Sequence, residues 1–78
     1  MGDIAKNIRD LRTEKNMTQD QLAEKLFVTR QSVSNYETGK RDIPTEVLIQ
    51  LARYYHTSTD YLLGLTDQKA PYPTAKYR

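Results

Sequence analysis

The chain has 78 residues, with 12 Lys and Arg against 10 Asp and Glu, no Cys and one His. A length this small argues for one domain, and such a domain buries only about 60% of its unfolded surface, so it is marginal alone. The missing thiols exclude a disulfide framework and, with a single imidazole, a Cys/His zinc cluster; no apolar run is long enough to span a bilayer, and the N-terminus lacks a signal-peptide core.

Five helical segments are expected. The first covers residues 3–15, where Ile4, Ile8 and Leu11 share one helical face. Asp3 can cap it, and Asn16 can leave it in the left-handed conformation. The second covers residues 19–26 and opens with a T-x-x-Q capping box, Thr18 to Gln21. Leu22 and Leu26 face inward, and Ala23 is small enough to admit a crossing helix.

The third covers residues 30–38, between the N-cap Thr29 and Gly39, which is free to take positive φ. Val33 and Tyr36 face inward. A helix this short and polar cannot stand alone, so its neighbours must hold it, which leaves its other face free. The fourth follows Pro44 and buries Val47, Leu48, Leu51, Ala52 and Tyr55. The fifth begins after Ser58, packs Tyr61, Leu62 and Leu65 inward, and ends at Gly64. Residues 67–78, with Pro71 and Pro73, have no helical period and read as a flexible tail. The expected class is all-α, a compact five-helix domain over residues 1–66.

Charge is unevenly placed. Residues 1–26 carry five basic and five acidic groups, and residues 42–78 carry four of each. The surplus of +2 comes from Arg30, Lys40 and Arg41 against Glu37. A local basic surplus points weakly to a polyanion.

Two helices joined by a short break, the second one polar, form a helix-turn-helix arrangement. Ala23 lets the third helix cross the second, and Val33 plugs the angle between them. The B-DNA major groove is about 12 Å wide and admits one helix. Arg30, Gln31, Ser34 and Asn35 on the outer face suit base edges: Arg grips guanine O6 and N7, and Gln or Asn pairs with adenine N6 and N7.

The stretch TQDQLAEKLFVTRQSVSNYETGKR, residues 18–41, resembles the phage-repressor (Cro/XRE-type) helix-turn-helix DNA-binding family. The resemblance extends over residues 4–65, including PTEVLIQLARYYHTSTDYLLG, and Gln19, Ala23, Val33, Glu37 and Gly39 fall at the family's positions. It implies a lambda-repressor-like fold and base contacts from Arg30, Gln31, Ser34 and Asn35. It also implies phosphate contacts from Gln19, Thr38, Lys40 and Arg41, which set register without reading sequence. Arg12 and Glu37 are expected to bridge the first helix to the end of the third. The Tyr36 hydroxyl is a further candidate for a phosphate.

The implied function is a sequence-specific double-stranded DNA-binding transcriptional regulator, a repressor, in the cytoplasm of a bacterium or encoded by a phage. It would be a homodimer, paired near the last two helices through Tyr55, Tyr61 and Leu65. It would need no cofactor, metal or membrane. The alternative is a protein-interaction module, antitoxin-like or an adaptor, using Phe27 and the apolar residues of the fifth helix. An enzyme is not expected: His56 alone at a helix end offers no acid–base pair and reads as a C-terminal cap.

Phe27 stands where the family usually has Gly, in a turn that needs left-handed dihedrals. Two readings compete. In the first, and preferred, its ring covers neighbouring apolar groups and offsets the strain; in the second, an exposed ring contacts another molecule.

Overall fold

The computed structural model describes residues 3–71. It contains α1 (Ile4–Glu14), α2 (Gln19–Leu26), α3 (Arg30–Thr38), α4 (Thr45–Tyr54) and α5 (Thr59–Leu62), with no strand among the described residues. The all-α architecture matches the expectation.

Short polar side chains start four of the helices. Asp3, Thr18, Thr29 and Ser58 each accept a hydrogen bond from the backbone N–H three residues on. At Thr18 the box is complete: Gln21 N donates to Thr18 Oγ1 at 3.1 Å and Thr18 N donates to Gln21 Oε1 at 2.8 Å. Pro44 opens α4 at the N-cap itself, with φ −63 and no side-chain bond.

All five helices end in one way. The chain turns through Asn16, Phe27, Gly39, His56 and Gly64, each with positive φ. The following N–H then reaches back five residues: Met17 to Arg12 O, Val28 to Ala23 O, Lys40 to Asn35 O, Thr57 to Ala52 O and Leu65 to Asp60 O, at 2.8–3.1 Å. These bonds satisfy carbonyls that a helix end otherwise leaves without a partner. His56 therefore serves α4 through its backbone.

The core lies between the helices. Ile8, Leu22, Val33, Leu51 and Leu62 are fully buried, and each contributes about 1.5–3 kcal/mol on leaving water. Ala23 and Val33 are both buried, as the α2–α3 crossing requires. Asn7 ties α1 to the last turn of α5, donating from Nδ2 to Tyr61 O at 3.3 Å and Leu62 O at 3.1 Å.

Two expectations need correction. Leu65 is 60% exposed. The fifth helix stops at Leu62, and Gly64 at φ 78 swings the chain away, so helical spacing does not carry Leu65 inward. Tyr55 is buried in the core, as the apolar stripe of α4 predicts, so it has little surface for the pairing role that the resemblance suggests.

After α5 the chain folds back along the domain. The Thr57 hydroxyl donates to Lys69 O, and Lys69 Nζ pairs with Glu14 at 2.8 Å. Tyr72, Pro73 and the rest of the expected tail, residues 72–78, lie outside the described residues.

Candidate nucleic-acid interface

The sequence of α3 divides it into two faces. Val33, Tyr36 and Glu37 point inward and are buried. Arg30 and Gln31 are exposed in the first turn, and Ser34 and Asn35 are half-buried along its flank. The candidate base-reading residues thus share the outer side. Gln31 Nε2 donates to Asn35 Oδ1 at 3.1 Å, a pairing one helical turn apart that orients both amides. Gln31 Oε1 and Asn35 Nδ2 are left over, one acceptor beside one donor.

A buried carboxylate fixes how this helix sits. The Glu37 side chain is 2% exposed and that of Arg12 is 14% exposed. Arg12 Nε donates to Glu37 Oε2 at 2.6 Å and Nη2 to Oε1 at 3.0 Å, a two-point grip matched in shape. Gln19 Nε2 adds a third bond to Oε1 at 3.1 Å, and Arg12 Nη1 donates to Met17 O at 2.7 Å. The hydrogen bond to Glu37 raises the Arg12 pKa above its ordinary value, although burial opposes it. One carboxylate therefore locks α1, the start of α2 and the end of α3 together. Beside this cluster, burial pushes the Tyr55 hydroxyl up to about 12.

The expected phosphate-binding residues differ in their availability. Lys40 is exposed beyond Gly39. Arg41 is exposed but lies over the Tyr36 ring, 5.6 Å from its centroid, with Nη1 donating to Ser32 Oγ at 3.4 Å. Tyr36 itself is buried. The Thr38 hydroxyl donates to Ser34 O at 2.9 Å, so its proton is held within the helix. Gln19 directs its amide to Glu37 rather than outward, a partner that nothing local in the sequence reveals. Gly39 closes α3 at φ 76 with open space where a Cβ would stand, so its role is the backbone angle alone.

The preferred reading of Phe27 does not hold. Its φ of 56 and ψ of 42 are left-handed, and the residue is 90% exposed. The conformation that closes α2 turns its side chain to solvent, and Val28, next along the chain, packs against the core instead.

The whole arrangement, from the inner half of α1 to the end of α5, matches the model of the helix-turn-helix family over residues 8–62. The chain belongs to the helix-turn-helix family. It is 42% identical over 64 residues to an uncharacterized HTH-type transcriptional regulator, YobD of Bacillus subtilis, covering 82% of this chain and 57% of the relative. The chain spans about half the length of the curated relatives it matches. Among solved structures, a transcriptional regulator from Listeria innocua superposes with TM-score 0.78 at 35% identity, over 85% of this chain and 62% of that one. SinR, a master regulator for biofilm formation solved in complex with DNA, superposes with TM-score 0.70 at 27% identity, over 78% of this chain and 98% of that one.

Within this helix-turn-helix chain the described residues contain no cluster of His, Cys, Asp and Glu fit for a metal ion, and no helix long and apolar enough to cross a membrane. The chemistry that α3 offers is hydrogen bonding and positive charge.

Proposed function

We propose that the chain is a sequence-specific binder of double-stranded DNA that regulates transcription by laying α3 in the major groove. The observation that carries this reading is the division of α3. Its inner side is clamped through Glu37, and its outer side presents Arg30, Gln31, Ser34 and Asn35. A clamped helix loses little freedom on docking, so its polar contacts are not offset by ordering. Arg30 suits guanine O6 and N7. The leftover acceptor of Gln31 and donor of Asn35 suit adenine N6 and N7 together. The DNA complex formed by SinR, which shares this fold, supports the same occupant.

Lys40 and Arg41 would hold phosphates beside the groove. Gln19 would contribute through the free N–H groups of the α2 N-terminus, since its side chain serves Glu37. Thr38 would have to exchange its bond to Ser34 for a phosphate. Residues 1–66 would form the DNA-binding unit, with 67–78 as an appendage. Two copies binding as a homodimer would read half-sites about 34 Å apart. Occupying a promoter in the cytoplasm, such a dimer would repress. This reading gives the chain no catalytic step.

Selection from random duplex DNA tests the reading. A two-fold symmetric site is expected, and Arg30→Ala with Gln31→Ala weakens and relaxes it. Recovery of no preferred sequence, or a double variant as tight and selective as the parent, refutes it.

A further inference from the structure

The bend between α2 and α3 is closed by backbone alone, with Val28 N donating to Ala23 O at 3.0 Å. Any residue able to adopt left-handed dihedrals would serve there, and glycine and asparagine do so most readily. Phe27 adopts φ 56 instead and leaves its ring in solvent, 90% exposed. The fold gains nothing from the ring that would offset the strained backbone. The ring is therefore available to a surface outside the molecule.

Its surroundings narrow what that surface is. Exposed Lys25 precedes it, and exposed Thr29, Arg30 and Gln31 follow. Among the described residues, the other exposed large apolar side chains, Ile49, Tyr54 and Leu65, belong to α4 and to the chain after α5. An anchor for a protein partner normally sits within a packed apolar cluster. Phe27 is instead one ring among polar groups, at the entry to α3. It also opens the segment 27–41, which holds the whole positive surplus of the chain. A negatively charged surface that is polar yet carries isolated apolar groups fits this setting. The major groove is such a surface, because each thymine projects a C5-methyl group into it.

Resting on the DNA-binding reading above, we infer that Phe27 is a specificity-determining residue whose ring covers a thymine methyl flanking the bases that Arg30 and Gln31 reach. Phe is among the side chains suited to that contact. One methyl group removed from water corresponds to about a 4-fold gain in affinity per half-site.

The test uses the full chain and the duplex recovered by selection. Each thymine is replaced in turn by deoxyuridine, which deletes the methyl and keeps the pairing edge. The parent is expected to lose about 4-fold in affinity at one thymine per half-site. Phe27→Gly and Phe27→Asn are expected to lose that sensitivity while keeping the response to Arg30→Ala. Both replacements suit the left-handed backbone, and melting curves verify that both variants fold. A parent indifferent to every deoxyuridine overturns the inference, as do variants that retain the sensitivity. Either result leaves the selected site and its dependence on Arg30 standing, so it differs from failure of DNA binding. Recovery of no site at all overturns both.

Discussion

Replacing Glu37 by Ala strikes the point where three helices meet. The substitution removes the acceptor for two Arg12 bonds and one Gln19 bond. It leaves a guanidinium whose side chain is only 14% exposed with Met17 O as its remaining partner. Breaking one side of a buried pair costs about 3–5 kcal/mol. Small domains hold only about 5–15 kcal/mol in total. In a domain of this size 1 kcal/mol shifts the melting temperature by roughly 4–8 °C, so a fall of at least about 12 °C is expected. Far-UV circular dichroism melts measure it directly. A double-mutant cycle then separates pairing from packing. Because an apolar pair of similar volume can replace a buried ion pair at little cost, Arg12→Met with Glu37→Leu should be more stable than either single change. Added salt should narrow the gap between parent and Glu37→Ala only slightly, since buried pairs are weakly screened. A Glu37→Ala protein melting within about 4 °C of the parent, under 1 kcal/mol, would show that the clamp holds nothing.

Phe27→Gly should raise the stability of the isolated domain by about 1 kcal/mol by relieving left-handed strain at a side chain that buries nothing; an urea melt with a lower midpoint contradicts that. Tyr55 has its pKa raised by burial from 10.0 to about 12, so its contribution to stability is full below pH 10 and is lost as pH climbs toward 12. Tyr55→Phe should therefore resist alkaline unfolding better than the parent; an alkaline midpoint equal to or below the parent's contradicts that. Ala at both Lys40 and Arg41 should weaken DNA binding about equally on all sequences and flatten the plot of log K against log salt by about 1 unit per phosphate lost; an unchanged slope removes them from the backbone contacts.

Where the sequence speaks locally, it is legible. The Thr18–Gln21 box and Gly39 mark helix ends because their bonds span only a few residues. Apolar spacing marks Ile8, Leu11, Leu22, Val33 and Leu51 as core because a helical face is a periodic object. What lies across the chain is less so. The union of Arg12 with Glu37 comes from family likeness, not from spacing. The third partner, Gln19, reaches Glu37 across eighteen residues, a bond that no local pattern at a helix start reveals. Asn7 meets the carbonyls of α5 across more than fifty residues, beyond the reach of any pattern. Leu65 misleads because helical period predicts nothing beyond Gly64, whose positive φ redirects the chain. Phe27 misleads because hydrophobicity says nothing of which way a left-handed residue aims its side chain.

Three of the five helix closures use a residue other than glycine, namely Asn16, Phe27 and His56, all at φ 56. Two of these, Asn16 and His56, follow α1 and α4 and belong to neither helix of the recognition pair. On the proposed reading, exchanges there would adjust how tightly the scaffold holds while leaving the exposed face of α3 as it is. On that reading, durability and vocabulary would drift independently at these two closures, whereas at Phe27, of the three, one side chain would bear on both.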